Sequence, residues 1–106
     1  MPLHELQEQE LLHYLTHSTG KMALLIHTTF CGTCQLAERM LDIVNIALPE
    51  LELYKLNINY APHLRDTWQI TSVPCLVIFE DGNPLNFEYA MHSVDYLYQL
   101  LKPNQS

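Results

Sequence analysis

The 106-residue chain is predicted to fold as one α/β domain, residues 1–106, with a central mixed four-stranded sheet flanked by helices on both faces. Three observations lead there. Segments with helical apolar spacing alternate with strand-like ones. Two short runs, Met22 to Ile26 and Cys75 to Phe79, are continuously apolar, as strands covered on both faces are. An Asp81-Gly82 pair separates the last two predicted strands, which signals a hairpin and an antiparallel edge.

Each element has a local reason. From Leu3 to His17, apolar residues at 3, 6, 11, 12 and 15 between Glu and Gln predict an amphipathic helix, stopped by Ser18-Thr19-Gly20. Met22 to Ile26 is too short for an independent helix and reads as the first buried strand. After the cysteines, Leu36, Met40, Leu41, Ile43, Val44 and Leu48 recur at helical spacing as far as Pro49, which cannot continue a helix. Leu51 to Ile58 alternates apolar and polar residues, predicting a strand with one covered face. Pro62 opens a short helix to about Trp68. Cys75 to Phe79 is the next strand, Glu80 to Pro84 a turn, and Leu85 to Tyr89 the last strand. Ser93 caps a final helix carrying Val94, Leu97, Leu100 and Leu101, which ends at Pro103. Residues 1–2 and 103–106 read as frayed ends.

Composition narrows the function. With 48% hydrophobic and 16% charged residues, the chain can bury its own core. A net charge of −7, from 12 acidic and 5 basic residues without a basic cluster, disfavours nucleic acid. The first 20 residues carry Glu5, Glu8 and Glu10 and no apolar signal core, and no apolar run approaches the roughly 20 residues of a membrane span. Three cysteines in a chain of ordinary size point to reactive or buried thiols and a reducing compartment, so a cytoplasmic location is expected. The chain is also expected to be a monomer.

The chemistry sits in Phe30-Cys31-Gly32-Thr33-Cys34. Cysteines at i and i+3 on one helical turn can close a disulfide when oxidised and separate only slightly when reduced. Cys31 stands at the helix start, where free N–H groups and the positive end of the dipole stabilise a thiolate. It is therefore the expected nucleophile, and Cys34, one turn inside, the expected resolving thiol. The same spacing is half of a zinc site. Zinc needs four ligands, and no second CxxC or HxxxH follows at finger or ribbon spacing, although Cys75 with a histidine would complete one. His13 and His17 read as surface residues, and Trp68, Tyr96 and Tyr98 as packing or surface.

Together with Lys55-Leu56-Asn57-Ile58-Asn59, Val73-Pro74 and Phe79-Glu80-Asp81-Gly82, this motif resembles the thioredoxin family over nearly the whole chain from Met22 to Leu101. The resemblance implies the thioredoxin fold and a cis-proline at Pro74 packed against the cysteine pair. It also implies a docking groove from Thr29 to Thr33, the Val73-Pro74 backbone and Ala90-Met91, in which Phe30, Gly32, Thr33 and Val73 meet substrate. Val73 would then pair with an extended client segment. Implied partners are protein disulfides and a thioredoxin reductase or other external thiol reductant; neither a metal nor an organic cofactor is needed.

The chain also departs from that pattern. Phe30 replaces the usual Trp, and Gly32-Thr33 the usual Gly-Pro. Thr33 returns a backbone N–H near the thiolate, which predicts a less reducing pair than a typical thioredoxin at about −270 mV. Leu25 stands where thioredoxins bury an aspartate beneath the resolving cysteine. Lys55, which matches that aspartate's lysine partner, then reads as a solvated strand residue. His27, two residues further along the strand, is either a proton-transfer group for Cys34 or an ordinary strand-end histidine. Cys75, where threonine is typical, reads as a small buried hydrophobe or a regulatory thiol. An alternative follows from these departures: a non-catalytic module that binds a partner peptide while its cysteines sense oxidation.

Overall fold

A computed structural model describes residues 3–103. Its elements are β1 (His4–Glu5), α1 (Glu8–His17), β2 (Lys21–His27), α2 (Gly32–Ala47), β3 (Glu52–Asn57), a 3-10 turn (Ile58–Tyr60), α3 (Pro62–Trp68), β4 (Cys75–Glu80), β5 (Asn83–Glu88) and α4 (Val94–Leu101). The five strands lie in the order β1-β3-β2-β4-β5. β1 and β2 run parallel to β3, whereas β4 is antiparallel to β2 and β5 to β4. The α/β class and mixed sheet agree with the sequence reading. Of the expected frayed ends, residues 1–2 and 104–106 lie outside the described residues; Pro103 is exposed and follows the end of α4.

The sheet has five strands instead of the expected four, and the extra one comes from the first expected helix. Leu3 and Leu6, three residues apart, fit a helical period. In the fold they bury on opposite faces of the sheet, at 6% and 1% exposure, with the two residues of β1 between them. The Leu6 N–H bonds the Lys55 carbonyl at 2.8 Å, so the segment extends along the free edge of β3. The helix starts only at Glu8, where the Glu10 carboxylate accepts the Gln7 N–H at 2.9 Å. It ends in extended backbone at Ser18. Gly20, with φ +75°, serves the approach to β2 instead of the helix terminus.

Two apolar layers sandwich the sheet. Ala37, Leu41 and Val44 of α2 and Leu97 and Leu101 of α4 pack on Ala23 and Leu25 of β2. Leu11 of α1 and Leu64 of α3 pack with Met22, Leu24 and Ile26 on the other face. β2 is thus covered on both sides, as its continuous apolar run requires. β3 corrects the one-face expectation. Leu53 belongs to the α2 and α4 layer, whereas Tyr54, Leu56 and Ile58 belong to the α1 and α3 layer. Lying between β1 and β2, β3 has both faces covered, so its apolar residues change face partway along. The positions left on the α2 side are Lys55 and Asn57.

The hairpin turn is tighter than the expected Glu80–Pro84. Only Asp81 and Gly82 leave the ladder, both with positive φ (53° and 82°), and Glu80 already pairs with Asn83. Pro84 is tolerated because β5 is an edge strand, and a bulge between Ile78 and Phe79 absorbs the irregular register. Trp68 packs against Phe79 and Phe87 with ring centroids 5.6 and 6.1 Å away, a packing role as expected.

Candidate active site

β2 ends at His27, and Thr28 to Phe30 carry the chain to the start of α2. Two asparagines at the end of β3 and just beyond it brace this crossing. Asn57 Nδ2 donates to Thr29 Oγ1 at 3.3 Å and Asn59 Nδ2 to Thr28 Oγ1 at 2.7 Å, while Asn57 Oδ1 accepts the Asn59 N–H at 2.9 Å. Phe30 takes φ +57°, uncommon for a bulky residue, and leaves its ring 99% exposed.

Cys31 is the N-cap of α2. Its Sγ accepts the Cys34 backbone N–H at 3.2 Å and lies 3.4 Å from Thr33 Oγ1. Cys31 and Cys34 form a disulfide with Cα atoms 5.2 Å apart. Cys31 is half-buried and Cys34 only 3% exposed, so one sulfur faces outward and the other inward. Gly32 and Thr33 are both exposed, and a Cβ built on Gly32 would meet nothing within 4 Å. The Val73–Pro74 peptide is cis. Because Ile26 pairs with Cys75, this peptide sits level with the strand end that leads to Cys31. Ala90 is exposed and Met91 buried beside α4.

The polar groups beneath the pair differ from those expected. Leu25 is wholly buried beside Lys55 in the β2–β3 register. Lys55 is not solvated: its Nζ lies 3.0 and 3.1 Å from the two carboxylate oxygens of Glu38, with the side chains 18% and 19% exposed. Glu38 is one helical turn beyond Cys34 and also accepts the Leu3 N–H at 3.3 Å. A further turn along, Asp42 has its carboxyl raised, first by burial and then by the Glu38 charge, with Lys55 opposing. His27 Nε2 approaches Glu5 Oε2 at 3.4 Å without hydrogen-bond geometry. The spacing of Cys34 and Glu38 is visible in the sequence; the pairing of Glu38 with Lys55 is not. Glu38→Gln should lower stability by about 1–3 kcal/mol, because it strands a mostly buried ammonium. Urea unfolding checks this, and Lys55→Met in the same protein should recover part of the loss.

Cys75 is fully buried and free. Burial pushes its thiol up to about 11, with a Tyr89 hydrogen bond opposing and the Glu88 charge adding. In the unfolded chain the thiol ionises near its ordinary value of about 8.5. Between there and about 11 the native state therefore holds the proton that the unfolded state has lost, and stability falls as pH rises. Below that window the contribution is fully present. Urea midpoints at pH 8 and 10.5 should differ less in Cys75→Ala protein than in wild type.

The His13 and His17 rings meet at a tilt of 40° with centroids 4.5 Å apart on the exposed side of α1. Among the described residues, no group of three or more His, Cys, Asp or Glu is placed to hold a metal ion. No helix among them is long and apolar enough to cross a membrane.

A cysteine pair closing a disulfide in the first turn of a helix that follows a central strand, with a cis-proline opening the neighbouring antiparallel strand, defines a dithiol/disulfide protein of thioredoxin fold. Comparison with known proteins agrees: the thioredoxin family model matches residues 2–102. The chain belongs to the thioredoxin family, and its CxxC pair supports oxidoreductase chemistry in general. It is 45% identical over 102 residues to thioredoxin-like protein YusE of Bacillus subtilis, covering 96% of this chain and 93% of that one. It is 23% identical over 88 residues to thioredoxin of Chlamydia trachomatis, covering 83% and 86%. Among solved structures, a mutant thioredoxin from Halobacterium salinarum superposes with a TM-score of 0.81 at 21% identity, covering 93% of this chain and 87% of that one. Mitochondrial thioredoxin 3 of Saccharomyces cerevisiae, in its oxidized form, gives 0.79 at 19%, covering 94% and 93%. At these identities the structures establish the fold.

Proposed function

We propose that the chain works as one domain, residues 1–106, reducing or exchanging disulfides in other proteins. The observation that carries this reading is the Cys31–Cys34 disulfide in the first turn of α2, with Cys31 Sγ receiving the Cys34 N–H at 3.2 Å. In the reduced protein that N–H and the helix dipole stabilise a Cys31 thiolate. The thiolate attacks one sulfur of a client disulfide, forming a mixed disulfide and releasing the other client sulfur as thiolate. Cys34 then loses its proton and attacks Cys31. The second client sulfur leaves with the electron pair and takes a proton, and the protein is left oxidised by two electrons. A thioredoxin reductase or another external thiol returns them.

Client docking is assigned to Phe30, Gly32, Thr33 and Val73, with Pro74 fixing the backbone direction of Val73. The exposed Phe30 ring supplies apolar area beside Cys31, and the half-buried Val73 a free backbone edge. A reducing compartment such as the cytoplasm suits a chain that keeps a buried free thiol at Cys75. Insulin reduction, with dithiothreitol or a thioredoxin reductase as electron source, tests the proposal. Turnover above the uncatalysed rate supports it; its absence favours a redox-sensing module that binds a partner peptide.

A further inference from the structure

At the end of the central strands from which the chain crosses to Cys31 lies a cavity of about 340 Å³, bordered by Thr28, Asn59, Arg65, Thr71, Ser72 and Val73. Thr28 begins the crossing to Cys31, and Val73 belongs to the cis peptide, so the cavity adjoins the surface assigned to the client. Its polar rim is made of donors and carries no carboxylate. Asn59 Nδ2 already donates to Thr28 Oγ1, which leaves the Thr28 hydroxyl proton free to point elsewhere. Thr71 and Ser72 add two exposed hydroxyls.

The charge on this rim stands out against the rest of the chain, which has 12 acidic residues and 5 basic ones. Lys55 is held by Glu38, and Lys21 Nζ reaches the carbonyls of Leu100 and Lys102 at 3.3 and 2.9 Å. Arg65 on α3 and Arg39 on α2 are both exposed and form no ion pair among the described residues; of the two, Arg65 borders the cavity. An arginine that shares a cavity lining with hydroxyl and amide side chains, and with the apolar Ile58 and Ile70, suits a carboxylate on an alkyl stem, which accepts several N–H and O–H bonds at once. The rest of the acidic surface would repel the same group.

We infer that this cavity is a specificity subsite for an Asp or Glu side chain lying within a few residues of the client's reacting cysteine. The inference rests on the oxidoreductase reading of Cys31 and Cys34 and adds to it the kind of client preferred. An extended client advances about 3.3 Å per residue. One residue along it therefore faces the cavity while its cysteine faces Cys31.

The test uses a series of disulfide-linked peptides in which a single Glu is walked from two residues before the cysteine to two after it, each paired with a Gln counterpart. At one position wild-type protein should reduce the Glu peptide with kcat/KM about tenfold above its Gln counterpart, the scale of one charge-assisted hydrogen bond. Raising the salt concentration should shrink that ratio. Arg65→Ala should bring the two peptides together, Arg65→Lys should keep part of the preference, and Arg65→Glu should reverse it. Equal rates at every position in wild type, or a preference that persists in Arg65→Ala, overturns the subsite.

Glutathione disulfide is the control for a small free carboxylate. An Arg65-dependent preference for it, without discrimination among the peptides, overturns the client assignment. Equilibrium binding of Cys→Ser versions of the same peptides separates the two readings. An Arg65-dependent Glu preference in binding without any turnover upholds the subsite and overturns the oxidoreductase reading; neither binding preference nor turnover overturns both.

Discussion

Cys31→Ser protein should reduce insulin no faster than the reductant alone, a loss of at least about a hundredfold, because the thiolate is the nucleophile and a serine hydroxyl does not ionise at neutral pH. Cys34→Ser should behave differently. Its Cys31 still attacks, but nothing on the protein resolves the product, so a mixed disulfide with the client should accumulate and be visible by non-reducing electrophoresis and mass spectrometry. The asymmetry follows from burial. Cys34 is 3% exposed, inside the first turn of α2, whereas Cys31 caps that helix and is only half-buried. A mixed disulfide trapped on Cys34 in the Cys31→Ser protein would reverse the assignment.

Gly82→Ala should be the most damaging of the three glycine-to-alanine changes, with a loss of about 3 kcal/mol or more in urea unfolding. Two costs combine. Gly82 has φ +82°, where a side chain is strained, and a Cβ there would collide with the backbone carbonyl oxygen of Leu15 and lie 3.2 Å from its carbon. Backbone in the last turn of α1 cannot step aside as a flexible side chain can. Gly20→Ala is the control. With φ +75° and nothing within 4 Å of the new atom, it carries the conformational cost alone, about 1–2 kcal/mol. If the two variants prove equally stable, the contact between the hairpin turn and α1 does not constrain the fold. Against the roughly 5–15 kcal/mol typical of a domain, the Gly82 loss is large.

The sequence was most legible where structure is local. The period of Leu36, Met40, Leu41, Ile43 and Val44 marks α2, Pro62 opens α3, Ser93 caps α4, and Asp81-Gly82 makes the tight hairpin. Each depends on residues within a turn or two of one another. It was least legible where distant segments meet. Leu3 and Leu6 fit a helix until the free edge of β3 is present to recruit them. Lys55 reads as solvated until α2 brings Glu38 over it. Arg65 is one more charge on a surface helix until Thr28, Asn59 and Ser72 close around the space beside it.

The sequence by itself determined that the chain is α/β, that Cys31 and Cys34 sit at a spacing and helix position fit for a reversible disulfide, and that the site resembles thioredoxins while lacking their buried carboxylate at Leu25. Only the tertiary structure decided which charges lie near the pair, that a fifth strand borders the sheet, and that a donor-lined cavity adjoins the cis-proline. The reason is physical. Helix caps, turns and cysteine spacing are fixed by bonds within a few residues, whereas an ion pair such as Glu38–Lys55 exists only once helix and sheet have packed, and no local pattern carries that information.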